Sequence, residues 1–235
     1  MADRLYFRQL LSGRDFAVGD PVAEQMVNFA YLVGDRATGE AVVVDPAYRV
    51  DDLLDVLAAD GMRLAGVLVT HYHPDHVGGS FAGHELEGVR EVLARASVPV
   101  HVNEAEASGV RKVTGASASD LVLHDGGDRV SVGDVEIELL HTPGHTPGSQ
   151  CFLVDKLLVS GDTLFLDGCG RTDLPGSDAG QMYESLQRLA TLPDDVAVFP
   201  GHRYSAASCG AMAAVRELNY VFKPATRDAW LQMFG

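Results

Sequence analysis

The segment from Thr70 to His76 reads THYHPDH and places His71, His73, Asp75 and His76 within six residues of a chain that holds nine histidines. Imidazole and carboxylate groups at that density are metal ligands, and their nitrogen and oxygen donors suit Zn, Fe or Mn. The spacing adds geometry. Residues two apart in an extended segment point the same way, so His71 and His73 can reach one ion, and Pro74 keeps His73 away from helical geometry. Asp75 and His76 are adjacent, diverge from that pair and suit a second ion. Gly78 and Gly79 follow and permit a tight backbone path around the loop.

This cluster alone fills neither site, so further ligands should end other strands. Three places qualify: LLHTPGHTPGS with His141 and His145 around a Pro-Gly turn, LLVSGDTLF with Asp162, and VAVFPGH with His202. Each is an apolar run, then Gly or Pro, then a ligand. Together they supply His71, His73 and His145 for one ion, Asp75, His76 and His202 for another, and Asp162 as a bridging carboxylate. His141 precedes its turn and is expected to be structural. His84, His101 and His124 occupy no motif position and are expected to be surface or strand residues.

The elements that must position these ligands are visible as apolar runs bounded by Gly, Pro or Asp: NFAYLVGD, EAVVVDP, LAGVLVT, VPVHV, VEIELLHT, QCFLVD, KLLVSGD and DVAVFPG. Helical spacing aligns Leu53, Leu54, Leu57 and Ala58 on one face, and Met182, Leu186 and Leu189 on another. A turn from Gly34 to Glu40 makes the early strands a hairpin, which predicts an α/β fold of two mixed β-sheets with helices outside. No linker or repeat divides the chain, so one domain over residues 1–235 is expected. Between Gly78 and Pro99, HELEGVREVLARA predicts a helix with Leu86, Val89 and Leu93 inward, covering the sheet; a lid beside the site is the alternative.

Composition narrows the function classes. Hydrophobic residues make up 46% of the chain, and 18 basic against 33 acidic residues give a net charge of −15 and a pI near 4.8. Such a surface repels phosphate backbones and anionic membranes, so neither nucleic acid nor membrane is expected as a partner. Asp3, Arg4, Arg8 and Gln9 interrupt the apolar residues of the first segment, unlike a secretory signal. Cys151, Cys169 and Cys209 show no C-x-x-C spacing. Reduced thiols and a cytoplasmic location are expected; a homodimer is a common default that no motif encodes.

H-x-H-x-D-H, then H-T-P-G-H-T, then G-D-T, then P-G-H, in this order and each after a strand, resembles the metallo-β-lactamase superfamily. Within it the chain is similar to the glyoxalase II (hydroxyacylglutathione hydrolase) and persulfide dioxygenase branch, over motifs from Asp45 to Tyr204. The resemblance implies an αββα sandwich with the site at one edge between the sheets. It implies that Asp45, ending VVVDP, orients a ligand histidine from behind. Arg171 in GCGRTD and Tyr204 in GHRY match positions that hold a glutathione-like carrier, so a small-molecule thiol conjugate is the expected partner. The competing expectation pairs Arg171 with Asp173 or Asp178 and leaves Tyr204 as packing. Cys169, between two glycines, is expected to be structural.

Two divalent ions, Zn first with Fe or Mn possible, would lower the pKa of a shared water and supply hydroxide at neutral pH. With Asp75 and Asp162 as the catalytic carboxylates, the expected reaction is thioester hydrolysis. Other features, the GCGRTD loop and the short segment after Tyr204, resemble the persulfide dioxygenases, in which the positions matching His71, His145 and Asp162 hold one Fe(II). Lys223 and Arg227 are candidates for further basic carrier contacts. β-Lactam and nucleic-acid hydrolysis fit the sequence less well.

Overall fold

The computed structural model describes residues 4–235. All eight strand runs read from the sequence are strands. In chain order the strands are β1 (Leu5–Leu11), β2 (Phe29–Asp35), β3 (Glu40–Val44), β4 (Arg63–Leu68), a small hairpin of β5 (Gly79–Phe81) and β6 (His84–Leu86), β7 (Val100–Asn103), β8 (Leu121–His124), β9 (Arg129–Val132), β10 (Val135–His141), β11 (Gln150–Val154), β12 (Leu157–Gly161), β13 (Ala197–Pro200) and β14 (Gly210–Ala211). One sheet has the order β1-β2-β3-β4-β7-β8 and the other β14-β13-β12-β11-β10-β9. Both are mixed. β3, β4, β7 and β8 run parallel, as do β12 and β13, while the β1-β2-β3 and β9-β10-β11-β12 stretches are antiparallel.

Period-two alternation explains the layering. The inward set Tyr31, Val33, Val42, Val44 and Leu68 of the first sheet packs on Ile137, Leu139, Phe152, Val154 and Val159 of the second. Helices cover the outer faces: α1 (Pro21–Met26), α2 (Val50–Ala59), α3 (Pro74–Val77), α4 (Val89–Arg95) and α5 (Ala107–Thr114) on the first sheet's side, and α6 (Ala179–Leu189), α7 (Met212–Leu218) and α8 (Arg227–Phe234) on the second's. α6 buries Met182, Leu186 and Leu189, the face its spacing predicts, and α8 buries Trp230. α2 differs slightly: it buries Val50, Leu53 and Leu57, while Leu54 is half-buried and Ala58 exposed. The result is an αββα sandwich.

The helix expected from His84 begins only at Val89. His84–Leu86 instead pairs with Gly79–Phe81, turned by Ala82 and Gly83 at φ 49° and 86°, the left-handed pair that suits a two-residue hairpin. Closing it brings two glycine backbones together, since a Cβ on Gly78 would lie 2.7 Å from the Gly88 Cα. α4 then covers the sheet with Val89 and Val92. Backbone bonds join the two sheets at one end, where Phe29 N–H donates to Gly201 at 2.8 Å, Arg203 N–H to Val27 at 2.9 Å and Gln150 N–H to Thr70 at 2.9 Å. Among the described residues, no helix is long and apolar enough to cross a membrane.

Candidate metal centre

At that joined end lie the carboxyl ends of β3, β4, β10, β12 and β13, and each is followed by a polar side chain of the centre. In mixed and parallel sheets this is where loops converge. His71, His73, Asp75 and His76 follow β4, with Asp75 and His76 on the single turn of α3; His145 follows β10, Asp162 follows β12 and His202 follows β13.

The structure brings all seven together. Three sets place one ligand atom per residue within 4.8 Å of one another: His71, His73 and His145; Asp75, His76 and His202; and His71, His76 and Asp162. His73 Nδ1 lies 3.0 Å from His145 Nε2, and His76 Nε2 lies 3.2 Å from His202 Nε2. Asp162 stands between the sets, its oxygens 3.3 Å from His202 Nε2, 3.5 Å from His76 Nε2 and 3.8 Å from His145 Nε2.

Each ring but His73 is oriented by its far nitrogen. His76 Nδ1–H donates to Asp45 Oδ2 at 2.9 Å, His202 Nδ1–H to the Met26 carbonyl at 2.9 Å and His145 Nδ1–H to the Arg171 carbonyl at 2.8 Å. The Thr70 hydroxyl donates to Asp45 at 2.6 Å and therefore accepts from His71 Nδ1–H at 3.0 Å. These bonds fix the tautomers and turn the Nε2 lone pairs toward the centre. Asp45 also takes the Thr70 backbone N–H at 2.8 Å.

Two observations test whether cations fit. His71 Nε2 and Asp162 Oδ1 are buried without a hydrogen-bond partner, a costly state unless another group occupies their lone pairs. Burial opposes ionisation of Asp75 and Asp162, yet the facing imidazoles hold both carboxyls below the usual range. Burial also lowers His71, with help from the neighbouring rings, and lowers His73 to about 4. Against burial, the same carboxylates raise His76 to about 9 and His202 well above the usual imidazole value; the carboxylates thus draw positive charge to the centre, and N/O donors of this kind fit divalent cations.

Sequence patterns missed two residues here. Asn28, buried, donates from Nδ2 to Asp75 Oδ2 at 3.2 Å and accepts the Tyr48 hydroxyl at 2.6 Å. Glu106, fully buried, accepts the Tyr72 N–H at 2.8 Å, the Thr146 hydroxyl at 2.7 Å and the Gly148 N–H at 2.7 Å, so one carboxylate ties the His71–His73 loop to the His145 loop. Burial raises its pKa. A lone Asn and a lone Glu carry no spacing signal.

A cavity of about 580 Å³ opens beside the centre and is lined by Phe81, Phe165, Arg171 and Tyr204 among others. Arg171 donates from Nε and Nη2 to Asp173, both at 2.9 Å, with both side chains about two-thirds exposed. Tyr204 stacks on His202 with ring centroids 4.8 Å apart and is half-exposed. The Cys169 thiol, also on the wall, is pushed up to about 12 by burial. Other candidates lie elsewhere. His141 Nε2–H donates to the Pro147 carbonyl, 2.9 Å away; His101 and His124 pair across β7 and β8; and His84 sits on the small hairpin. Lys223 bonds the Glu217 carbonyl and Arg227 faces Glu184 at 3.5 Å, so neither reaches the cavity.

Known proteins resemble this chain. The model of the metallo-beta-lactamase superfamily matches residues 24–202. A hydroxyacylglutathione hydrolase of Rhodopseudomonas palustris is 39% identical over 184 residues, covering 77% of this chain and 64% of that protein. The mitochondrial persulfide dioxygenase ETHE1 of Homo sapiens is 35% identical over 199 residues, covering 81% and 70%. The crystal structure of ETHE1 from Myxococcus xanthus superposes with a TM-score of 0.78 at 30% identity, covering 97% of this chain and 89% of that one. With its sandwich, its ligand-bearing strand ends and these likenesses, the chain belongs to the metallo-β-lactamase superfamily.

Proposed function

We propose that this enzyme hydrolyses thioesters of a small thiol at a two-cation centre, zinc being the favoured metal. His71, His73 and His145 would hold one cation, Asp75, His76 and His202 the other, with Asp162 shared. The observation that carries this reading is the pair of complementary three-residue sets meeting at Asp162. Bound cations would supply Lewis acidity toward an acyl oxygen and an ionised water at neutral pH. The chain supplies the rest. Asp75 and Asp162 offer anionic oxygens that orient an attacking water, and Asn28 holds Asp75 in place through its Nδ2 contact. Phe165, only 6% exposed, keeps bulk water from one side, and Tyr204 offers a face and a hydroxyl to the thiol half. Three free cysteines support a cytoplasmic site of action.

A persulfide dioxygenase is the second reading, favoured by the ETHE1 likeness over nearly the whole chain and by the GCGRTD loop. His71, His145 and Asp162 would then hold one Fe(II). Elemental analysis of protein purified without added metal, with a thioester assay and an oxygen electrode on glutathione persulfide, separates the two. About two equivalents of metal, thioester turnover and no oxygen uptake support hydrolysis. One equivalent of iron with rapid uptake overturns it in favour of oxygenation.

A further inference from the structure

The two three-residue sets stand on different supports. Asp75 is held by Asn28, His76 by Asp45 and His202 by the Met26 carbonyl. In the other set the His71 ring is held through Thr70 and the His145 ring through the Arg171 carbonyl, but the His73 ring has no such partner behind it. Its nearest polar neighbour is His145 Nε2, 3.0 Å from its Nδ1. The position of His73 is therefore set by its backbone and by Tyr72 beside it. The Tyr72 ring meets the His73 ring edge-on, with centroids 5.0 Å apart, and lies so close to α5 that a Cβ on Gly109 would be 2.6 Å from Tyr72 Cγ. The Tyr72 N–H donates to Glu106 Oε2 at 2.8 Å. Glu106, fully buried just before α5, reaches the His145 loop with its other oxygen. Oε1 accepts the Thr146 hydroxyl and the Gly148 N–H, both at 2.7 Å, and a Cβ on Gly148 would lie 2.6 Å from Glu106 Cγ. Tyr72 and Gly148 present backbone N–H groups, which only donate, so both ends of the side chain between them must accept. A carboxylate meets that demand. A glutamine of the same length turns its NH2 toward one N–H or the other and leaves that loop unheld.

Resting on the two-cation reading, we infer that Glu106 is a positioning residue for one cation alone, the one drawn to His71, His73 and His145. It acts through Tyr72, Thr146 and Gly148, and touches no ligand itself. Its bonds reach neither Asp75, His76 nor His202, so the second cation keeps its support when Glu106 is changed.

The test is titration of the metal-free full-length chain with zinc against a competing chelating dye, which reads affinity without turnover. His202→Ala isolates the cation of His71, His73 and His145, and His73→Ala isolates the other. Added to His202→Ala, Glu106→Gln is expected to weaken zinc by about 10- to 100-fold. Added to His73→Ala, it is expected to change affinity by less than about twofold, as for independent sites. Thr146→Val removes one bond of the three and keeps the carboxylate; it is expected to weaken the same cation several-fold, and it carries the test should Glu106→Gln fail to fold. Equal weakening in both backgrounds overturns the inference, because a general prop of the fold acts on both cations alike. No weakening in either, or weakening confined to the His73→Ala background, overturns it as well. In each of these cases a wild type that takes up two equivalents leaves the two-cation reading standing. A wild type that takes up only one removes that reading, and the inference with it.

Discussion

The imidazole of His76 is held from behind by Asp45, whose other contacts are the backbone and hydroxyl of Thr70. Asparagine at position 45 would present one acceptor oxygen in place of two and release the ring. Asp45→Asn is expected to lower metal affinity or turnover by about 10- to 100-fold with little change in fold, read by metal titration and circular dichroism; full affinity would remove Asp45 from this role. Loss should be greater at the ligands. His73→Ala and Asp75→Ala are each expected to abolish turnover and to reduce bound metal below the wild-type stoichiometry, and near-normal turnover in both would sink the two-cation reading. The seven candidate ligands could be picked out of the sequence because His71, His73, Asp75 and His76 crowd together behind one apolar run, while His145, Asp162 and His202 each follow an apolar run and a Gly or Pro. Asn28 and Glu106 could not, because their contacts arise only when loops distant in the chain meet.

Among the elements, the loop after β12 folds back so closely that a Cβ on Gly170 would lie 2.0 Å from the Asp162 carbonyl oxygen and 3.0 Å from the His145 ring. Gly170→Ala is expected to displace both ligands and cut turnover at least tenfold; an active, metal-replete variant would contradict the packing. β7 and β8 make a different prediction. His101 Nδ1 lies 2.9 Å from His124 Nε2, and burial, then His124, lowers His101 to about 4. An unfolded chain takes up that proton near pH 6.5. This contribution to stability is therefore complete above pH 6.5 and is lost as pH falls toward 4, by on the order of 3 kcal/mol. Thermal unfolding across that window should fall less steeply in His101→Asn than in wild type; parallel slopes would rule the pair out. Helix and long-strand periodicity was readable, whereas three-residue strands such as β5 and β6 are shorter than any periodic pattern, and only the Ala82-Gly83 turn marks them.

At the scale of the whole molecule, the mixed sheets and outer helices followed from alternating apolar runs, but the closing of the second sheet's outer face by α8 did not, because Trp230 and Phe234 carry only a short amphipathic signal. Trp230 is fully buried and its Nε1–H donates to the Val221 carbonyl at 3.0 Å. Trp230→Ala is expected to cost about 3–5 kcal/mol and to lower Tm by on the order of 10 °C, measured by calorimetry; a loss of only a degree or two would mean that α8 is dispensable to the core. The candidate ligands divide between the sheets: His71, His73, Asp75 and His76 follow a strand of one, and His145, Asp162 and His202 follow strands of the other. Any cation that draws on both halves acts as a clasp. Neither sheet can then peel away alone without surrendering it, so hydrogen exchange in β4 and β12 should slow together on metal loading and quicken together under chelator.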